Sequence, residues 1–475
     1  MVFTSTTFMF VFLPIVIGCY FLIRKKYRNV VLLTASLLFY AWGEPKYFYV
    51  MLLSITINYV SGLLIYNNKE NPRKKKFFLI LAISSNLGLL LFFKYANFFT
   101  DNINGLMSLM NLNYFIKLGK VHLPIGISFF TFQGLSYVID VYRNTTGVQR
   151  SLLDLALFKA LFPQLIAGPI VRYHDVEQEI HKREVTPDKV YYGFKRFVVG
   201  FGKKMLIANQ MGEIADKVFA IPMPYLSTSV AWLGIICYTL QIYYDFSGYS
   251  DMAIGLGRVF GFTFLENFNY PYISKGIKEF WERWHISLSR WFRDYVYFPL
   301  GGSRVSKLKT YRNQMIVFLL SGFWHGASWN FVFWGIYHGF FIILERTPFN
   351  KFLNKLWKPL RHIYALLIIT VGWVFFRAEN LTLALKYIKR MFILTKPNNY
   401  FYLGLYLNNR VIVILIAAII FSAPVVGKLK KILEARTEKR FVYELVYDFL
   451  LIGLFAVSII RLSSTTYNPF IYFRF

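Results

Sequence analysis

The residue with the clearest chemical potential is a histidine inside a long apolar run. His325 lies between Gly322 and Gly326 in the stretch Asn313–Leu344, whose 32 residues include no Asp, Glu, Lys or Arg. An ionisable side chain inside such a segment is costly, so it is a candidate functional group. A neutral imidazole can accept the proton of an attacking hydroxyl near neutral pH. His325 is therefore a candidate general base, with a structural histidine bonded to a neighbouring helix as the open alternative.

The same run is too long for one straight membrane helix. At 1.5 Å per residue it would extend about 48 Å, against about 30 Å of hydrocarbon. Its two glycines make Ser321–Asn330 the natural place for a break. Broken backbone at membrane depth is tolerated where it is buried in protein or lines a cavity. We therefore expect His325 beside a pocket. His338, 13 residues later, falls on a different face of any continuous helix and is predicted to be structural.

A second histidine lies in the aromatic segment Phe280–Tyr297. Apolar side chains recur there at helical spacing, which predicts one amphipathic helix in the membrane interface or along a funnel. The residues on its apolar face are Trp281, Trp284, His285, Leu288, Trp291, Phe292 and Tyr295. Because His285 lies on this face, the pattern alone favours a core histidine.

Two acidic residues adjoin a further apolar run. Asp245 and Asp251 could pair with Arg258 or Arg290, cap a helix that starts near Met252, or relay protons. Because Ser and Asp before an apolar stretch are typical of a helix N-cap, we favour a structural role with ion pairing.

The composition identifies the class of protein that must position these groups. Of the 475 residues, 56% are hydrophobic, 20% are aromatic and 16% are charged, and mean hydropathy is +0.43. This excludes a disordered chain and a plain cytosolic enzyme. The two cysteines lie in apolar runs and indicate neither a disulfide framework nor a metal site. A polytopic membrane protein remains.

Apolar runs without charges mark the candidate membrane segments. They must be helical, because lipid offers no partner to open backbone groups, and their lengths indicate roughly 10 to 12 embedded segments. Pro163–Pro169 is predicted to be re-entrant or kinked, because it holds two prolines and a glycine. The runs are Met1–Ile23, Asn29–Gly43, Tyr47–Asn68, Phe77–Phe93, Val121–Ile139, Ala160–Val171, Val218–Tyr244, Asn313–Leu344, Ile363–Phe376, Val411–Gly427 and Phe449–Ile460.

The basic residues set the expected orientation. The chain carries 54 Lys and Arg against 24 Asp and Glu, a net charge of +30. The clusters Arg24–Arg28 and Arg73–Lys76 fall on one side if each intervening run crosses once, and the positive-inside rule makes that side cytoplasmic. The N-terminus is then outside. Cytoplasmic loops facing anionic lipid explain the excess charge, so nucleic acid is not an expected partner.

The two histidine segments resemble hallmark motifs of the membrane-bound O-acyltransferase family, in its bacterial alginate O-acetyltransferase-like branch. They are Glu279–Tyr295 and Gly322–Ala327. Further stretches similar to that branch cover nearly the whole chain: Phe39–Pro45, Leu123–Asp140, Pro163–Pro169, Asn267–Pro271, Tyr297–Gly302 and Pro469–Phe473.

The resemblance implies an all-α membrane fold around a central tunnel open to both faces. It implies that His325 is the catalytic histidine and His285 the family's second histidine, which reverses the core interpretation of His285. Tunnel candidates are Trp324, Trp329, Trp284, Arg290 and Arg293. The expected organisation is a single domain with N-terminal spans in 1–120, a catalytic core in 121–345 and C-terminal spans in 346–475. No metal is expected.

The resemblance also implies the reaction. We expect an O-acetyltransferase of the bacterial cytoplasmic membrane that moves acetyl from a cytoplasmic thioester, acetyl-CoA or a carrier-bound acyl group, to an extracellular or cell-wall polysaccharide, directly or through a secreted partner. The expected protein partner is an extracellular or membrane-anchored acetyltransferase- or esterase-like protein. No tightly bound cofactor is expected. The alternatives are a D-alanyl transfer protein of teichoic acid synthesis and, in another class, a polysaccharide transporter or flippase, to which broken helices and buried histidines are equally suited.

Overall fold

The computed structural model describes residues 3–112, 114–166, 168–396, 399–434 and 440–470, and these form helices and connecting loops without a β-strand. The predicted all-α fold is therefore confirmed. Ala167 of the predicted kinked segment and residues 471–473 of the terminal motif lie outside the described residues. The described contacts group into two compact units, 1–193 with 256–265, and 194–255 with 266–475. The predicted single domain and its three segments stay predictions.

Among the residues that the structure describes, eight α-helices lie wholly in the first unit, where α3, α4 and α5 pack against one another and α2 packs on α6. Asn58 and Asn86 join α3 to α4 by reciprocal amide bonds of 3.0 and 3.1 Å. The bounds are α1 Leu13–Leu22, α2 Arg28–Gly43, α3 Phe48–Asn67, α4 Pro72–Leu109, α5 Ile127–Arg143, α6 Leu152–Ala160, α7 Phe162–Leu165 and α8 Tyr173–His181. Helix α7 is a single turn, and the re-entrant or kinked course of Pro163–Pro169 stays a prediction.

The second unit contains the histidine motifs. Helices α9 and α11 begin or end in residues of the first unit. The bounds are α9 Pro187–Gly202, α10 Asn209–Phe219, α11 Thr228–Val259, α12 Ile277–Arg283, α13 Ile286–Phe292, α14 Lys307–His325, α15 Trp329–Leu344, α16 Phe349–Lys355, α17 Lys358–Arg377, α18 Leu381–Phe392, α19 Leu403–Tyr406, α20 Asn409–Phe421, α21 Val425–Glu434 and α22 Arg440–Ser464.

Several helices have the length and apolar composition of membrane spans. Among the described residues, four qualify, Phe48–Asn67, Pro72–Leu109, Lys358–Arg377 and Phe441–Ser464. Three shorter apolar helices accompany them, Phe8–Leu22, Trp329–Leu344 and Asn409–Phe421. These helices support a membrane protein, and the figure of 10 to 12 embedded segments stays a prediction.

The predicted helix start near Met252 is wrong. Helix α11 runs without interruption from Thr228 to Val259, so Asp245 and Asp251 lie inside it. Ion pairs allow both aspartates to be buried inside this helix, because each carboxylate contacts a Lys or Arg side chain of the helical segment before it. Asp251 bonds Arg196 and Lys203, and Asp245 pairs with Lys204 at 2.5 Å. Structural pairing is thus confirmed, but Asp251 pairs with basic residues other than Arg258 or Arg290.

His174, on α8 of the first unit, predicts a pH-dependent stability. Its Nδ1 lies 2.7 Å from Asp140 and its Nε2 3.3 Å from Asp175, and these bonds raise the pKa of His174 to about 9. Because the folded pKa is above the ordinary 6.5, the stabilisation is complete below about pH 6.5 and disappears as pH rises through 9. We expect His174→Gln to lower the thermal unfolding midpoint in detergent at pH 6 and much less at pH 10. A difference that stays constant with pH, or that His362→Gln reproduces, would contradict this.

Candidate active site

The segment around His325 is the turn of a helical hairpin. Helix α14 ends at His325, Gly326–Ser328 form the turn, and α15 begins at Trp329, so the predicted break at Ser321–Asn330 is confirmed. Helices α14 and α15 approach closely because a glycine of each helix faces backbone atoms of the other. A Cβ added to Gly322 would lie 2.3 Å from the carbonyl oxygen of Phe331, and one added to Gly335 would lie 2.5 Å from that of Phe318.

His325 is enclosed by aromatic rings. Its side chain is buried, and its ring centroid lies 5.0 Å from Trp324, 5.2 Å from Trp334 and 4.9 Å from Phe376. All three rings meet the imidazole at steep angles, so they fix its plane. The indole Nε1–H of Trp334 is buried and, within the described residues, has no hydrogen-bond partner. It is a donor that a substrate oxygen could use.

His285 interrupts its segment, so the prediction of one continuous helix over Phe280–Tyr297 is wrong. Helix α12 ends at Arg283, α13 begins at Ile286, and His285 has a left-handed backbone with φ of 45°. Such a conformation is unusual for a residue with a side chain and persists where the surroundings impose it. Here Asn267 imposes it, because its backbone carbonyl accepts the N–H of Ile286 at 2.9 Å.

The side chain of Asn267 fixes the imidazole of His285. Asn267 Nδ2 donates to Ser250 at 3.0 Å, and its Oδ1 accepts from the backbone N–H and the hydroxyl of Ser287. That oxygen lies 3.1 Å from His285 Nδ1, so Nδ1 carries the proton. The opposite nitrogen, Nε2, is buried and has no hydrogen-bond partner among the described residues. It therefore presents a lone pair.

Burial keeps His285 neutral. It lies between α12 and α13, outside the candidate spans, and its side chain is 2% exposed. Desolvation lowers the pKa of His285 to about 3. At physiological pH the ring is thus a proton acceptor at Nε2 and not a cation. In this tautomer Nε2 cannot donate a hydrogen bond to a developing oxyanion.

One tryptophan connects the two histidines. The ring of Trp324 lies 6.0 Å from His285 and 5.0 Å from His325 between ring centroids. Trp324 is itself buried. Both predicted catalytic histidines and this tunnel candidate therefore form one cluster. Their roles stay predictions.

A cavity of about 510 Å³ opens beside His325, at the turn of the hairpin. Asn330 holds its two sides together, because its Nδ2 donates to the carbonyls of Phe375 and Ala378 at the end of α17. The cavity volume is in the range of small-ligand sites. Its lining residues are Tyr238, Gly326, Ala327, Ser328, Asn330, Phe331, Phe376, Arg377, Ala378 and Glu379.

Neither predicted catalytic histidine is among the residues that line this cavity, and neither are Trp324 and the other predicted tunnel residues. Trp284 is buried beside His285, with its ring 4.9 Å from Trp373. Trp329 is 55% exposed at the start of α15. Arg293 is exposed and pairs with Asp294 at 2.8 Å, and Arg290 is half-buried on α13. None of the four lines the cavity, and their tunnel role stays a prediction.

His338 lies in the same aromatic cluster as His325. Its ring packs 5.0 Å from Trp334 and 4.9 Å from Trp281, and both ring nitrogens are buried without a hydrogen-bond partner among the described residues. The ring of Trp334 therefore packs against both His325 and His338. The structural role of His338 stays a prediction. Among the described residues no three His, Cys, Asp or Glu side chains are placed to hold a metal ion.

Sequence reasoning missed the polar residues that complete the site. Asn267 and Asn330 lie in segments that the sequence singles out, but an amide side chain alone does not mark either of them as a site residue. Arg377 and Glu379 follow the apolar run Ile363–Phe376 directly, and charges at the end of a span were the available signal. Charged residues are common at the ends of membrane spans, so their presence alone is only a weak indication of a functional site.

Changing Asn267 tests the assigned tautomer. Asn267→Asp places a carboxylate against His285 Nδ1, which raises the pKa of the imidazole, so that Nε2 becomes protonated at a higher pH than in the native chain. We expect the acidic limb of the pH–activity profile to shift to higher pH, so that activity recovers as the pH rises. The measurement is turnover between pH 6 and 9 at equal protein abundance. A profile lowered uniformly, without a shift, would indicate that the tautomer is irrelevant.

Comparison with known proteins identifies relatives along the whole chain. The model of the membrane-bound O-acyltransferase family matches residues 146–383, which include both histidine motifs. A protein of Azotobacter vinelandii described as "Probable alginate O-acetylase AlgI" is 41% identical over 502 aligned residues, which cover the whole of both chains.

Two other relatives are named for different acceptors. The "Peptidoglycan O-acetyltransferase" of Helicobacter pylori is 38% identical over 82% of this chain and 80% of its own. The "Teichoic acid D-alanyltransferase" of Bacillus subtilis is 32% identical over 53% of this chain and 66% of its own. The acetyl-transferring relatives therefore match more of the chain, at higher identity.

Proposed function

The chain belongs to the membrane-bound O-acyltransferase family, and from that premise we propose that it transfers an acetyl group to hydroxyls of an extracellular or cell-wall polysaccharide. Its class is O-acyltransferase. The proposed location is the bacterial cytoplasmic membrane. The acetyl donor is a cytoplasmic thioester, either acetyl-CoA or a carrier-bound acyl group. Delivery to the polysaccharide is direct or passes through a secreted partner.

One observation carries the proposal: two buried histidines flank Trp324, and Gly326, the chain neighbour of His325, lines a cavity large enough for a substrate. A hydroxyl and a thioester must meet away from water, which would otherwise hydrolyse the donor. The aromatic rings around His325 provide such a dry environment. The glycine-bounded turn beside it leaves the approach open.

In the proposed reaction His325 is the general base. The acceptor hydroxyl oxygen attacks the thioester carbonyl carbon as the imidazole of His325 takes the hydroxyl proton. The carbonyl oxygen becomes an oxyanion, which collapses with cleavage of the C–S bond. The thiolate leaves and receives the proton, and the new O–C bond is the ester. Atoms and charge balance without a redox step.

Other groups assist this step in the proposal. The Nε1–H of Trp334 is a donor for the oxyanion, because it is buried beside His325 without another partner among the described residues. The lone pair on His285 Nε2 suits a second proton acceptor, which would orient the acceptor hydroxyl or receive the proton onward. Arg304–Arg312, at the start of α14, carries basic residues that could attract the phosphates of the donor or act as ordinary cytoplasmic charge.

The test compares cells that express the full chain with cells that lack it. We expect alkali-labile acetate ester on exported polysaccharide to require the chain, while the amount of exported polysaccharide stays unchanged. In isolated membranes, labelled acetyl from a thioester should reach the same polysaccharide. Alanine ester in place of acetate would favour the D-alanyl transfer alternative. Loss of export, without a change in decoration per sugar, would favour a transporter.

A further inference from the structure

A smaller cavity of about 240 Å³ lies at the end of α15 that is away from the hairpin turn. It is enclosed by α12, the end of α15, α16 and the first turn of α17, all of which belong to the second unit. The acyl-transfer site described above does not use it. Its charged lining residues are Lys278, Glu279, Glu282, Glu345, Arg346 and Arg361.

The three carboxylates of the smaller cavity are already bonded within the protein. Glu345 accepts two backbone N–H groups at the start of α12, at 2.6 and 2.9 Å. Glu279 accepts from Arg283 at 3.0 Å, and Glu282 pairs with Lys278 at 3.6 Å. Each negative charge of the lining therefore has its partner.

Arg361, in the first turn of α17, has no such partner. Its guanidinium forms no ion pair or hydrogen bond with the described residues, although its Nε is buried. Arg346 is held by Gln314, whose amide oxygen, when turned toward the guanidinium, accepts from Nε and Nη2 at 2.6 and 2.8 Å. Nη1 of Arg346 is then left for a ligand. Because a buried donor without an acceptor is costly, an anion with several acceptor oxygens would stabilise both arginines.

The chain that borders the smaller cavity is strongly basic. Residues 346–361, which connect α15 to α17, contain no Asp or Glu, and their basic residues are Arg346, Lys351, Lys355, Lys358 and Arg361. The positive-inside rule makes such a connection cytoplasmic. Basic residues next to a span on that side attract anionic headgroups of the inner leaflet.

The smaller cavity lies where a helix of membrane-spanning length begins. Helix α17, Lys358–Arg377, has the length and apolar composition of a span, and Arg361 lies in its first turn. Trp357, the residue before this helix, is exposed. Tryptophan is enriched at the level of the lipid headgroups, so Arg361 is at the depth of the headgroup phosphates.

Exposed apolar faces lead away from the smaller cavity along α15 and α17. Their residues are Leu360, Ile363 and Leu367 on α17 and Phe333, Ile336 and Phe340 on α15. Spacings of three and four place each set on one face of its helix, and α15 packs on α17. In a membrane these faces contact acyl chains, while the cavity at their end presents arginine.

We propose that the smaller cavity binds the phosphate of an anionic phospholipid, held by Arg361 and Arg346, with the acyl chains on the exposed faces of α15 and α17. The volume favours a lipid headgroup over a whole soluble cofactor such as coenzyme A, because pockets that enclose a drug-sized ligand measure roughly 300–1,000 Å³. The apolar faces provide contacts that a soluble phosphate cannot use. The bound phosphate joins the end of α15 to the start of α17 and stabilises the folded chain. This inference needs no acyl transfer, so it is independent of the proposed function.

Lipid titration of the purified full chain tests the inference. The probes are phosphatidylglycerol and phosphatidylcholine with identical acyl chains, added to the delipidated protein in detergent and measured by native mass spectrometry. Phosphatidylglycerol should bind at least about tenfold more tightly, as expected for a charged hydrogen bond, and should raise the thermal unfolding midpoint. Arg361→Gln should lose most of this preference. Arg361→Lys, which keeps the charge without the planar fork, should lose part of it.

Arg73→Gln is the matched control, because it removes an exposed arginine that does not line the smaller cavity. It should keep the preference. Equal affinity of the native chain for both lipids, which requires no variant to fold, would overturn the inference, and so would equal losses in Arg361→Gln and Arg73→Gln. Coenzyme A carries phosphate without acyl chains and should not displace phosphatidylglycerol at equal concentration. Displacement that depends on Arg361 would assign the cavity to a soluble phosphate and overturn the lipid site.

Discussion

Replacing His325 by alanine is expected to lower acetyl transfer by roughly 10²- to 10⁴-fold, the usual contribution of a positioned general base. The side chain is buried among Trp324, Trp334 and Phe376, and alanine leaves no proton-accepting group in its place. The effect should fall on kcat, with little change in the affinity for acceptor, because the proton moves only in the transition state. The measurement is acetate ester formed per mole of membrane-inserted protein.

His362→Ala is the matched control for this variant. His362 lies in the same unit, on α17, and its Nδ1 is 3.0 Å from the carbonyl of Ser274, away from the cavity. We expect it to retain transfer activity. If an abundant His325→Ala protein kept full activity, His325 would not be the general base. Equal losses of transfer activity in both variants would indicate that removal of an imidazole lowers activity by disturbing the fold.

His285→Ala distinguishes the two histidines. If His285 orients the acceptor through Nε2, its loss should raise KM as well as lower kcat, in contrast to the loss of His325. Asn267→Ala leaves the ring in place without its fixed tautomer, and should produce a smaller loss than His285→Ala. A larger loss in Asn267→Ala would mean that Asn267 acts chiefly by holding the junction of α12 and α13.

The features that the sequence predicted well depend on local composition. The break at Ser321–Asn330 follows from glycines inside a run that is too long for one span, and the hairpin confirms it. The apolar runs likewise identify the helices that contain them, because helix formation in lipid is imposed by the solvent. The position of His325 at a turn therefore needs no knowledge of the fold.

The features that the sequence could not predict depend on distant partners. The left-handed backbone of His285 is held by Asn267, 18 residues earlier, so the helical spacing of Phe280–Tyr297 misled the prediction of one helix. Helix α11 continues through Asp251 because Arg196 and Lys203 neutralise it. No pattern within either segment encodes these contacts.

The arrangement of the cavity residues could be predicted even less well from the sequence. Arg377 of the cavity beside His325 is positioned by Asp216, 161 residues earlier in the chain, and Asp216 is bonded by Tyr467, 251 residues later. A motif of spaced residues cannot reveal such a group. The resemblance to a family located the histidines because both lie inside short motifs, and it was silent on Arg377.

Gly335→Ala is expected to reduce both stability and transfer, because the added methyl has no space. Its Cβ would lie 2.5 Å from the carbonyl oxygen of Phe318 and 3.2 Å from the Cα of Leu319, both backbone atoms of α14. Overpacking of this kind costs about 1–3 kcal/mol when helices must separate. The measurements are the thermal unfolding midpoint in detergent and acetate ester formed per mole of protein.

Gly453→Ala is the control, since it makes the same change inside α22, where nothing lies within 4 Å of the added Cβ. Alanine is the better helix former, so this variant should be at least as stable as the native chain. A Gly335→Ala protein that matches Gly453→Ala in both measurements would mean that the hairpin adapts without consequence.

The relative size of the two losses in Gly335→Ala tests what the hairpin does. Separation of α14 from α15 moves His325, the last residue of α14, relative to the cavity lining contributed by Asn330 and Phe376. A displacement of about 1 Å can cost about 10²-fold in rate, far more than a few kcal/mol of stability would cost in folded protein. We therefore expect transfer to fall much more than the fraction of folded protein. A loss of activity only in proportion to the loss of folded protein would instead mean that the close glycine contacts serve assembly and leave the position of the base to other elements.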